Sequence, residues 1–144
     1  MHQTMHASAV LIGAKAVLIR GPSGAGKSQL AFDLLRSELP FTRLVADDRV
    51  ELEACAGRLL VRPAAVLAGR LEIRGLGIRR FPHEPVAAVG LVIDLAANDA
   101  ARYPDKEAEK AMIYGVSLPR LAVAAGASAL PLVLAFQHSA PGSD

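Results

Sequence analysis

Residues 21–28 read GPSGAGKS and satisfy G-x-x-x-x-G-K-S/T at every defined position. This stretch constrains the fold more than any other. Its glycines let successive backbone N–H groups turn inward around an anion. The geometry works only if a strand delivers the chain and a helix carries it away, so that the helix N-terminus faces the anion. Both flanks are present. AVLIR, residues 16–20, is an apolar strand, and SQLAFDLLRSEL, residues 28–39, places Leu30, Ala31, Leu34 and Leu35 at helical spacing. Pro40 is the expected stop. Strand, phosphate loop and helix in series predict a mixed-sheet α/β domain that binds a nucleotide or a polyphosphate. Gly21, Pro22, Ser23, Gly24, Ala25 and Gly26 form the cradle. Lys27 reaches the β- and γ-phosphates, and the Ser28 hydroxyl suits Mg²⁺.

Pro and Gly divide the rest into short segments. SAVLIG (8–13) pairs with AVLIR across Gly13, Ala14 and Lys15. RLVA (43–46) is a strand, and VELEACAGRLLVRP (50–63) is two strands around Ala56 and Gly57. Residues 63–82 read as a short helix and then a glycine-rich loop. VAAVGLVIDLA (86–96) is apolar almost throughout, as a central strand should be. NDAARYPDKEAEKA (98–111) is an exposed connection. Residues 113–136 alternate apolar runs with turn residues, and a core strand accounts for them. With 144 residues, no internal repeat and no composition break, residues 1–144 are expected to form one domain. Residues 1–5 and 137–144 are its expected flexible ends.

Bulk properties exclude several classes. A formal net charge of +2 gives no basis for nucleic-acid binding. The single cysteine, Cys55, rules out an internal disulfide framework and a multi-cysteine metal site. The opening MHQTMHASAVLIG lacks the basic start and long apolar run of a signal peptide. No run approaches the ~18 apolar residues of a membrane span. A cytoplasmic protein with neither membrane nor nucleic-acid partners is expected.

The second chemical feature is RLVADDRVELE, residues 43–53. Neighbouring side chains on a strand point to opposite faces, so Asp47 and Asp48 are suited to different tasks. A phosphate loop needs a carboxylate at the end of another strand, near the metal and the attacking group. One acid can orient Mg²⁺ and the other accept a proton from an incoming hydroxyl. The third feature is LEIRGLGI, made of Leu71, Glu72, Ile73, Arg74, Gly75, Leu76, Gly77 and Ile78. Glu72 can complete a metal shell, and Arg74 can stabilise charge on a transferring phosphoryl group.

Taken together, GPSGAGKS, LVADD and LEIRGLGI resemble the catalytic domain of bacterial HPr kinase/phosphorylase, from about His6 to about Leu134. LEIRGLGI is close to a family signature, whereas the phosphate loop alone indicates only a superfamily. The resemblance implies the mixed-sheet P-loop fold shared with the phosphoenolpyruvate carboxykinase core. It implies ATP and Mg²⁺ as cofactors and a serine of HPr, the phosphocarrier of the sugar phosphotransferase system, as acceptor. It further implies phosphorolysis by inorganic phosphate and a homo-oligomer, generally a hexamer. By position, Asp48 is the family's proton acceptor, Asp47 the supporting acid, and Glu72 a metal ligand beside Ser28. His6 stands where the family has a histidine ahead of the first strand. Arg102, in AARYP, stands for an active-site arginine. The rival readings are a small-molecule kinase and a nucleotide-sensing module without transfer activity.

Three departures accompany the resemblance. The N-terminal domain of full-length members is absent, so a short, catalytic-domain form is expected. The spacing from loop to acids is slightly longer, through SELPFTR. Where the family carries an arginine-bearing loop tied to dephosphorylation, this chain has VAAGASAL, and no Lys or Arg follows Arg120. Cations normally bind the phosphate for that reaction. Weakened phosphorolysis is therefore expected, unless another arginine such as Arg79 or Arg80 substitutes.

Overall fold

A computed structural model describes residues 2–142. In chain order the elements are β1 (His2–Met5), β2 (Ser8–Ile12), β3 (Lys15–Arg20), α1 (Lys27–Leu35), β4 (Thr42–Ala46), β5 (Val50–Cys55) and β6 (Arg58–Pro63). A 3₁₀ turn (Ala65–Leu67) leads to β7 (Arg70–Ile73) and β8 (Gly77–Arg80), then β9 (Ala87–Leu95), β10 (Lys110–Ile113), β11 (Val116–Val123) and α2 (Leu130–Gln137).

The main sheet runs β1-β5-β6-β9-β3-β2-β4, with the β10–β11 pair joined to β9. β9 is parallel to both β3 and β11, and its first residues pair antiparallel with β6. Three parallel strands thus end together beside the phosphate loop. Alternation along β3 sends its side chains into two cores. Val17 and Ile19 join Leu30, Leu34, Ile93 and Val133 beneath the helices. Ala16 and Leu18 join Leu52, Val61, Val92 and Leu118 on the opposite face. Among the described residues no helix is long and apolar enough to cross a membrane.

Five expectations change. His2–Met5 is a strand in register with β5, His2 opposite Glu53 and Met5 opposite Val50, so that end is ordered by a sheet edge. α1 stops at Leu35, well short of Pro40, because the Ser37 and Thr42 hydroxyls donate to the carbonyls of Leu34 and Leu35. The LEIRGLGI segment is a β-hairpin with Glu72 opposite Ile78. The Leu76 N–H closes its turn on the Ile73 carbonyl, and Gly75 takes the positive φ (86°) that the third turn position requires. Residues 130–137 are helical, with Pro131 in the first turn, where its missing N–H costs nothing. Gln137 ends that helix; of the expected flexible tail, Ser143 and Asp144 lie outside the described residues.

Candidate active site

The phosphate loop crosses from the end of β3 to α1. Gly21 is packed so closely that a Cβ there would lie 3.1 Å from the Leu95 Cβ and 3.3 Å from the Ala25 Cβ. A side chain would push the loop off the end of β9. Lys27 spans the loop, its Nζ donating to the carbonyls of Gly21 at 2.8 Å and Pro22 at 3.1 Å. The ammonium therefore braces the loop from within.

The two adjacent acids separate completely. Asp47 directly follows β4 and is buried, 4% exposed. Its carboxylate accepts from the Ser8 hydroxyl at 2.6 Å, from the Ser28 hydroxyl at 2.8 and 2.9 Å, and from the Glu72 backbone N–H at 3.2 Å. One carboxylate thus joins β2, α1, β4 and β7. Asp48 lies at φ 71°, in a three-residue turn closed by the Arg49 N–H on the Asp47 carbonyl at 2.8 Å. The reversal turns Asp48 outward, where it is exposed and lines a cleft of about 510 Å³. Lys27, Ser28, Glu72 and Arg74 line the same cleft. The hairpin that carries Glu72 and Arg74 is fixed to the helix that carries Ser28. Phe81, just beyond β8, meets Phe32 of α1 edge to face at 6.2 Å.

The family model of the HPr Serine kinase C-terminal domain matches residues 1–130. The chain belongs to that family. It is 37% identical over 133 residues to the HPr kinase/phosphorylase of Geobacillus thermodenitrificans, covering 83% of this chain and 41% of that protein. With the HPr kinase/phosphorylase of Latilactobacillus sakei it shares 34% over 132 residues, covering 84% of this chain and 41% of that one. The chain thus spans less than half the length of these relatives. The solved structure of the Hpr(Ser) kinase/phosphatase from Coxiella burnetii superposes with a TM-score of 0.73 at 27% identity, covering 92% of this chain and 91% of that one. The mixed α/β fold expected from the sequence is the fold of this family.

Not every residue transferred from the family reaches the cleft. His6 occupies the exposed bend between β1 and β2 and is absent from the lining. Arg102 is exposed in the connection after β9, its guanidinium 5.3 Å from the Tyr103 ring centre. Arg79 and Arg80 lie exposed on β8, also outside the lining. Two features escaped the sequence reading. Ser8 is fully buried on Asp47, and its signal was a hydroxyl opening an otherwise apolar strand.

The second is an ion network at the ends of the parallel strands. Arg20, directly before the loop, grips Asp94 with two bonds of 2.7 and 2.8 Å. Arg120 donates to Asp94, to Asp99 at 2.8 and 3.0 Å, and to the Ala108 carbonyl. Burial alone would raise the Asp94 carboxyl, but the hydrogen bonds from Arg20 and Arg120 outweigh it and hold it below its ordinary range. The bond from Arg120 likewise lowers Asp99, and that bond with the Asp94 pair raises Arg120. The signal was a pair of opposite charges at matched ends of two apolar strands, Arg20 opposite Asp94.

Proposed function

We propose that this chain transfers the γ-phosphoryl group of ATP to a serine hydroxyl of an HPr-type phosphocarrier. One observation carries the reading: the phosphate loop, an outward-turned Asp48 and the Glu72–Arg74 hairpin meet in one cleft. The names of the relatives support HPr as the acceptor. The donor set beside the loop is entirely oxygen, with the Ser28 hydroxyl on the Asp47 carboxylate and Glu72 in the same cleft. That set fits a hard cation such as Mg²⁺. Asp47, Ser28 and Glu72 would hold it, directly or through water. When bound, Mg²⁺ neutralises charge on the phosphate oxygens.

Lys27 swings from the Gly21 and Pro22 carbonyls onto the phosphates and offsets their charge. Asp48 accepts the serine proton as that oxygen bonds to the γ-phosphorus and the bond to the ADP oxygen breaks. Arg74 faces the charge that spreads over the transferring group. Serine is weakly acidic, so Asp48 acts late, and positioning supplies most of the rate. The homo-oligomer, generally a hexamer, belongs to the same reading. Exposed Met112 and Leu76 are apolar surface available for such contacts.

The test uses the purified protein, MgATP labelled on the γ-phosphate, HPr from the same organism, and an HPr whose regulatory serine is alanine. Label on the first HPr alone supports the reading. Absence of label with ATP still bound overturns it.

A further inference from the structure

The hairpin that brings Glu72 and Arg74 to the cleft carries more positive charge than the cleft uses. β7 and β8 place Arg70 directly opposite Arg80, and Glu72 opposite Ile78 in the same register. Alternation puts these four on one face, while Leu71 turns inward and is fully buried. Both arginines are exposed. Both also lie just outside LEIRGLGI, Arg70 immediately before it and Arg80 shortly after it.

Like charges directly opposite each other across two strands destabilise the pairing. Here nothing neutralises them. Among the described residues Arg20, Arg36, Arg43, Arg62 and Arg120 each pair with a carboxylate, whereas Arg70 and Arg80 pair with none. Glu72 is the one acid on their face, and it makes no ion pair with either. Ile78, on the same face, is 59% exposed. The face thus presents two bare guanidiniums and one apolar side chain. Arginine is enriched at protein interfaces, and its fork grips a carboxylate with two parallel hydrogen bonds.

The position of the face selects its occupant. Glu72 lines the cleft. The arginine pair lies two residues further along the strands, about 7 Å away. Serine has a short side chain, so a serine that reaches Asp48 brings the surface of its own protein against the cleft rim. The hairpin face continues that rim on the Glu72 side.

We propose that Arg70 and Arg80 dock the acceptor protein by gripping carboxylates on the surface that flanks its reactive serine. The inference rests on the kinase reading above and adds what selects the acceptor, an acidic patch beside the serine.

The experiment measures steady-state transfer from γ-labelled MgATP to HPr from the same organism. Wild type is compared with Arg70→Gln, Arg80→Gln and the double variant. Arg58→Gln is the control, since it removes an exposed charge at the far end of the β5–β6 hairpin. The double variant should raise KM for HPr about tenfold, with kcat and KM for ATP within about twofold of wild type. Wild-type KM for HPr should rise between about 50 and about 500 mM NaCl, and the double variant should show a smaller rise. Arg58→Gln should match wild type. The double variant should melt at the same temperature or higher, because a like-charge pair is gone. An unchanged KM for HPr overturns the docking assignment and leaves the kinase reading intact. A raised KM for ATP also overturns it, because the pair then serves the donor's phosphates. Equal loss in Arg58→Gln overturns it by making overall charge responsible. A lower melting temperature overturns it by making the pair structural. Absence of transfer by wild type overturns the kinase reading, and the docking assignment with it.

Discussion

At Asp48 the backbone adopts φ 71°, in the sparsely populated left-handed region, directly after a strand. Such conformations cost on the order of 1–3 kcal/mol and persist where the surroundings impose them. Here the turn gives two adjacent carboxylates opposite surroundings, one buried among donors and one exposed in the cleft. Asn tolerates the same backbone, so Asp48→Asn should fold with stability within about 0.5 kcal/mol of wild type. With Asp48 as the base proposed above, the transfer rate should fall roughly 10²–10⁴-fold; labelled-phosphate kinetics alongside thermal melting checks both halves. Asp47 depends on its donors instead. Ser8→Ala removes the 2.6 Å bond from the neighbouring strand β2 and leaves a buried carboxylate with fewer partners. A hydrogen bond to a charged group contributes about 1.5–3 kcal/mol, and a loss of that size should appear as a lower urea midpoint with unchanged slope.

α1 has no side-chain cap; Gly26 precedes it at φ 101° and accepts from the Leu30 N–H. Its stability comes from the face it buries, and Leu34 is wholly covered. Leu34→Ala should cost about 2–5 kcal/mol in chemical denaturation, the range for a large side chain removed from a packed core. The strand–loop–helix and the β5–β6 hairpin were legible because their signals are local. GPSGAGKS sits between an apolar strand and a helix-spaced run, and Ala56 and Gly57 both take the positive φ of a tight hairpin turn. The signature hairpin was not, since its glycines resemble a loop until Leu71 is seen to be buried. α2 was hidden because LPLVLAF is apolar all round and shows no period. In the site, the loop and acids were legible as motifs. Ser8 and the partnership of Arg20, Asp94 and Arg120 were not, because sheet pairing at long sequence separation creates them.

Across the whole molecule, that ion network ties the ends of β3, β9 and β11. Because the Asp94 carboxyl lies lower in the folded chain than in the unfolded one, its stabilising contribution is complete above the ordinary carboxylate range. That contribution is lost as pH falls below that range. Asp94→Asn should flatten this part of the acid-unfolding curve, measured by circular dichroism between about pH 5 and pH 2. Charge distribution also bears on reversal of the reaction. The loop after β11, residues 124–129, holds alanine, glycine and one serine and carries no cation. Phosphate-driven release from phosphoserine HPr should therefore run far more slowly than the forward transfer, read as pyrophosphate formed per unit enzyme. Finally, β3 reaches its parallel partner only across some seventy residues of sequence, since Lys15–Arg20 pairs with Ala87–Leu95. On the ribosome, the strand that launches the phosphate loop is made early and waits for β9 with an apolar edge unpaired. The nascent chain is thus most open to misassociation during that interval, and the arrival of β9 joins β3 to β6 before β11 adds to its free edge.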